Sequence, residues 1–122
     1  MAHNEGFLKL VNEAKARIRQ IGIEDYKAML AAGEKHVLVD IREESEWAAG
    51  HAAGATYIGK GVIERDIETK IPDKNATIVL YCGGGFRSAL SADALGQMGY
   101  NNAISLDGGW RAIMQSGLPL EK

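Results

Sequence analysis

Apolar residues recur at helical spacing at the start of the chain: Phe7, Leu8, Val11, Ala14 and Ile18 fall on one face. With Asn4 available as a cap, this spacing predicts an amphipathic helix over residues 5 to 17. A short strand is expected over Arg17 to Ile21. A helix over Ile23 to Ala32 follows, with Tyr26, Met29 and Leu30 as its stripe and Gly33 as its stop. The pattern then changes. His36 to Arg42 has an unbroken apolar centre, the mark of a strand buried on both faces, as in parallel sheets. Thr77 to Cys82 repeats that pattern more strongly. Between these two, Ala55 to Ile58 reads as a brief strand. Val62, Ile63, Ile67 and Ile71 predict a helix over Gly61 to Lys70 that ends before Pro72. Beyond Cys82 come a helix over Arg87 to Met98, a strand over Ala103 to Leu106, a turn at Asp107 to Gly109 and a closing helix over Trp110 to Gln115.

Strands and helices therefore alternate, the pattern of an α/β fold with a mostly parallel sheet and right-handed crossovers. Ligands in such sheets bind at the carboxyl ends of strands. Cys82 falls at one such end and Asp40 to Arg42 at another.

Composition narrows the function classes. Apolar residues make up 46% of the 122 residues and charged residues 25%, ordinary for a soluble globular chain. Sixteen acidic and fourteen basic residues leave a net charge of −2, with no basic run to hold a nucleic acid. One cysteine forms no internal disulfide, and histidines at 3, 36 and 51 have no metal-ligand spacing, so no metal and no cofactor are expected. No signal-peptide pattern and no long apolar window appear, so a cytoplasmic location without a membrane partner is expected.

The candidate chemistry lies in Ile78 to Ser88, where an apolar strand runs into Cys82 and then Gly83, Gly84, Gly85, Phe86 and Arg87. An ordinary thiol is only about 3% thiolate at neutral pH. Three features of this stretch favour the anion. Consecutive glycines can turn backbone N–H groups inward as an anion nest. The following helix adds its N-terminal partial charge, and Arg87 a full positive charge with Ser88 as a hydroxyl donor. A merely structural cysteine gains nothing from such a loop.

These residues, with Val39-Asp-Ile-Arg42, Glu46-Trp-Ala-Ala-Gly-His51, Gly54-Ala55 and Leu106-Asp-Gly-Gly-Trp110, resemble the rhodanese-like single-domain sulfurtransferases over residues 18 to 120. The resemblance implies a five-stranded, mainly parallel sheet flanked by helices on both faces. It divides the chain into a helical extension at 1–17 and a rhodanese-like domain at 18–122. It further implies that Cys82 takes sulfane sulfur from a small donor such as thiosulfate, becomes a persulfide held by residues 83 to 87, and passes the sulfur to cyanide, a thiol or a protein acceptor. Four residues separate Cys82 from Arg87. Related phosphatase and arsenate reductase domains use five, so the resemblance favours sulfur over phosphate. Where the family carries a bulky aliphatic residue and proline after its histidine, this chain has Ala52 and Ala53, and a looser turn is expected there. Arg87 is the one basic residue that the loop itself contains.

Other signals carry less. Gly54 to Gly61 imitates a phosphate-binding loop but lacks its final serine or threonine, and Lys60 reads as a surface lysine. Glu43, Glu44 and Glu46 read as carboxylates at a helix N-terminus. His51 is expected to support the cysteine loop structurally and not to act as a base. Asp40 and Arg42, two apart on a strand, share a face and are expected to support the cysteine loop. Trp47 and Trp110 read as packing residues. The alternatives to a sulfurtransferase are a non-catalytic rhodanese-like module that binds a partner, and a phosphatase or arsenate reductase-like enzyme.

Overall fold

The computed structural model describes residues 3–122. Met1 and Ala2, with which the expected extension begins, lie outside the described residues. Thirteen elements follow in order: α1 Glu5–Arg17, β1 Arg19–Ile21, α2 Ile23–Ala31, β2 Val37–Asp40, α3 Glu44–Ala49, β3 His51–Ala52, β4 Thr56–Tyr57, α4 Ile63–Lys70, β5 Ile78–Tyr81, α5 Phe86–Gln97, β6 Ala103–Leu106, α6 Gly109–Gln115 and β7 Leu120–Glu121. Five strands form one sheet in the order β1-β6-β5-β2-β4, every pair parallel. The expected α/β architecture is therefore present.

The unbroken apolar runs occupy the centre of the sheet, where both faces are covered. Each residue of β5 is fully buried. Side chains alternate along it: Ile78 and Leu80 enter one core with Ile63, Ile67 and Leu95, whereas Val79 and Tyr81 enter the other with Tyr26 and Ile113. Helices α4 and α5 thus cover one face, and α2 and α6 the other. Cys82 continues the alternation of Ile78 and Leu80, so its side chain lies on the α5 face.

Helix α1 packs on the outside of α5 through Val11 and Ala14, both fully buried, and through an Arg17–Asp93 ion pair of 2.7 Å. Asn4 holds the N-cap position, but its side chain makes no capping bond. The short antiparallel pair of β3 and β7 has no counterpart in the sequence reading, because two-residue strands carry no periodic signal. This pair also tightens the turn expected to be loose. The Ala52 N–H donates to the Tyr81 hydroxyl at 3.1 Å, and the Ala53 N–H to the Pro119 carbonyl at 3.0 Å. Small side chains there let the C-terminal segment come close.

Candidate active site

The loop from Cys82 to Gly85 joins the carboxyl end of β5 to the N-terminus of α5. Gly85 has φ 103°, a conformation that favours glycine, and a β-carbon there would lie 3.2 Å from the Gly108 amide nitrogen. This bend turns the chain back over the sulfur. The Gly85 N–H points at Cys82 Sγ from 3.2 Å and the Ser88 N–H from 3.3 Å. Ser88 Oγ is 3.5 Å from Sγ and 2.8 Å from Ser105 Oγ. When Sγ is ionised, Ser88 donates to it and Ser105 donates to Ser88. All three residues are buried, so these dipoles act with little screening.

A second set of bonds orients the loop from behind. The Trp110 N–H donates to the Cys82 carbonyl at 2.7 Å, and the Arg111 N–H to the Gly83 carbonyl at 3.2 Å. In a trans peptide the N–H points opposite to the C=O, so the Gly83 and Gly84 N–H groups face away from α6. The first turn of α6 therefore fixes two loop peptides by their oxygens and frees their donors.

Arg87 reaches back across the sheet end to Glu46, with Nη1–Oε1 at 3.1 Å and Nη2–Oε2 at 3.4 Å. Glu46 also accepts the Glu43 N–H at 2.9 Å, closing a capping box at the start of α3. The acidic cluster thus caps its helix as expected, and one of its members does more. Hydrogen bonding to Arg87 holds the Glu46 carboxyl below its ordinary range, and the same bond raises the Arg87 guanidinium. Arg87 Nη2 lies 3.2 Å from where a β-carbon on Gly83 would stand, so the guanidinium closes over the loop.

Asp40 and Arg42 do not pair with the cysteine loop, because they satisfy each other first. Arg42 Nη2 donates to Asp40 Oδ2 at 2.7 Å and to the Gly50 carbonyl at 2.7 Å, with both side chains buried. Burial pulls the Arg42 guanidinium down, and the Asp40 hydrogen bond and charge more than offset this. Support for the loop is indirect: the Arg42 guanidinium lies 4.5 Å from the Trp110 ring centre, and it is the Trp110 amide that holds Cys82. His51 also stands apart from Cys82. Its ring stacks on Trp47 at 3.4 Å, Nδ1 lies 3.0 Å from the Trp47 carbonyl, and Nε2 is 3.6 Å from Glu121.

A cleft of about 570 Å³ opens over the loop, lined by Cys82, Gly83, Gly84, Phe86 and Arg87. Its outer walls are His3 and Phe7 from the N-terminal segment and Arg111 from α6. The sequence reading missed these three and Glu46. Arg111 stood next to a recognised motif, but nothing local ties α1 to the site. Among the described residues no helix is long and apolar enough to cross a membrane.

The family model for the rhodanese-like domain matches residues 23–116. Thiosulfate sulfurtransferase GlpE of Pseudomonas entomophila is 36% identical over 89 residues, covering 70% of this chain and 80% of that protein. A sulfurtransferase of Allochromatium vinosum is 34% identical over 103 residues, covering 84% and 94%. The probable adenylyltransferase/sulfurtransferase MoeZ of Mycobacterium tuberculosis is 38% identical over 90 residues, but the chain spans only 23% of the length of that relative. Among solved structures, a Rhodopseudomonas palustris protein of unknown function, described as a possible tyrosine phosphatase, aligns at a TM-score of 0.88 with 28% identity, covering 99% of this chain and 98% of that one. An Escherichia coli rhodanese solved with anions aligns at 0.64 with 30% identity, covering 72% and 99%. The chain belongs to the rhodanese-like domain family.

Proposed function

We propose that this chain is a sulfurtransferase that moves sulfane sulfur through a persulfide on Cys82. The observation that carries the proposal is the pair of backbone N–H groups, from Gly85 and Ser88, directed at Sγ from 3.2 and 3.3 Å. They meet negative charge on the sulfur without any proton acceptor, so the nucleophile needs no histidine base. In the first half-reaction the Cys82 thiolate attacks the outer sulfur of thiosulfate. A Sγ–S bond forms, the S–S bond of the donor breaks, and sulfite leaves with the electron pair. In the second, a nucleophile attacks the outer sulfur of the persulfide and the Cys82 thiolate leaves. Loop donors not engaged with Sγ, the N–H groups of Gly83, Gly84, Phe86 and Arg87, are assigned to the outer sulfur, and the Arg87 guanidinium to its charge. A cytoplasmic site of action suits a free thiol kept reduced.

Intact mass after exposure to thiosulfate tests the proposal. One added sulfur atom is expected on Cys82, discharged by cyanide and absent from Cys82→Ala; an unchanged mass, or full cyanide turnover in Cys82→Ala, overturns it. A phosphatase reading has the Rhodopseudomonas palustris neighbour behind it. Against it stands the loop, whose four residues between Cys82 and Arg87 make a narrow cradle, and turnover of an aryl phosphate would decide for it.

A further inference from the structure

The Cys82 cleft has walls that sulfur transfer itself does not require. Phe7 and His3 precede the segment that the family model matches. Their rings form a cluster with Phe86, centroids 4.4 Å apart for His3–Phe86, 5.3 Å for His3–Phe7 and 6.3 Å for Phe7–Phe86. Lys15 Nζ sits 4.9 Å from the Phe86 ring centre. Arg111, which also lines the cleft, is exposed and has no carboxylate partner among the described residues, whereas the Arg87 charge is offset by Glu46.

Size separates two parts of the site. Cys82 is 1% exposed, so little more than one sulfur atom gets through to it. The cleft above it, at about 570 Å³, lies within the range of roughly 300–1,000 Å³ that holds organic ligands. An organic group attached to the reacting sulfur meets the aromatic wall there, beside Arg111, which has no carboxylate partner among the described residues.

Given the sulfurtransferase reading, on which this rests, we propose that the acceptor is an organic thiol with a flat apolar body and a carboxylate. The body lies on Phe7 and Phe86, and the carboxylate pairs with Arg111. The acceptor thiolate attacks the outer sulfur of the Cys82 persulfide, the new S–S bond forms on the acceptor, and the Sγ–S bond breaks with its electron pair returning to Cys82. The product is the acceptor's persulfide. Arg111 and Phe7 act here as specificity-determining residues that position the acceptor.

The test uses thiosulfate as donor and compares three acceptors by kcat/KM: 4-mercaptophenylacetate, 4-methylbenzenethiol and cyanide. The two aryl thiols differ in the distal carboxylate. Wild type should favour the carboxylated thiol by roughly fivefold, the size of an exposed ion pair. Arg111→Gln should erase that preference and Arg111→Lys should retain part of it, read as the ratio of the two aryl thiols, in which any change in general anion entry cancels. Phe7→Ala should lower both aryl thiols by about fivefold or more relative to cyanide, consistent with loss of an apolar contact. Equal use of the two aryl thiols by wild type, or a preference for the carboxylated thiol that survives in Arg111→Gln, overturns the acceptor assignment while leaving the persulfide reading standing. Failure of Cys82 to gain sulfur from thiosulfate overturns both. Arg111 is exposed, so its variants keep the test informative even if Phe7→Ala lowers stability.

Discussion

Gly109 lies so close to the carbonyl of Cys82 that a β-carbon on Gly109 would collide with that oxygen. The contact comes from the first turn of α6 closing on the cysteine loop, and it accompanies the Trp110 N–H bond to the same oxygen. A glycine 27 positions beyond Cys82 is thus a condition of the loop's shape.

Gly109→Ala should therefore damage both stability and chemistry. Its φ of 49° disfavours a side chain, and the collision adds to that strain. A loss of about 2 kcal/mol or more is expected, with persulfide loading reduced beyond what the unfolded fraction explains. Denaturant unfolding beside single-turnover loading by thiosulfate would show both, and a variant that loads at the wild-type rate would contradict the account.

Ser88→Ala removes the hydroxyl that faces Sγ while keeping the Ser88 amide donor. Loading of Cys82 should slow by roughly tenfold, the worth of about one hydrogen bond to a charged group. Stopped reactions read by intact mass would measure it. An unchanged rate would mean that the two amides suffice.

Asp40→Asn leaves the Arg42 guanidinium buried with its counter-charge gone. Breaking such a pair costs about 3–5 kcal/mol. Because Arg42 stacks on Trp110, the cost should extend to the loop that Trp110 holds. Chemical denaturation gives the stability change, and slower loading in the residual folded protein gives the coupling.

The Glu46–Arg87 pair predicts a pH dependence. Glu46 is held below its ordinary 4.5 in the folded chain, so the pair contributes stability that is present above that value and lost as pH falls through the lower folded value. Glu46→Gln should thus cost up to about 1 kcal/mol near neutrality, since the pair is partly exposed. The difference from wild type should shrink as pH falls below 4.5 and vanish once pH is below the lower folded value. Melting curves across pH would check the sign, and a gap that widens on acidification would refute it.

Much of this protein is legible in its sequence, for local reasons. The apolar runs at Val37–Val39 and Ile78–Tyr81 mark strands covered on both faces, and helical stripes such as Ile63 and Ile67 mark the layers that cover them. Cys82, the glycines and Arg87 lie within six consecutive positions, so the chemistry of the loop is readable where it stands. Element boundaries shifted by one or two residues, as in the helix expected from Gly61 that starts at Ile63, because Gly61 and Val62 form a turn.

What the sequence by itself determined is the order of the helices and of the five strands of the main sheet, and the presence of a thiol at a strand end, followed by an anion-favouring loop. Periodicity and loop composition act over a few residues, and they hold whatever the rest of the chain does. Tertiary structure alone decided which distant residues meet that loop: Glu46 on Arg87, Gly109 and Trp110 on the Cys82 carbonyl, Phe7 against Phe86, and Asp40 bound to Arg42 and not to the loop. These contacts depend on how helices settle on the sheet, a property of shape and packing that leaves no periodic trace along the chain.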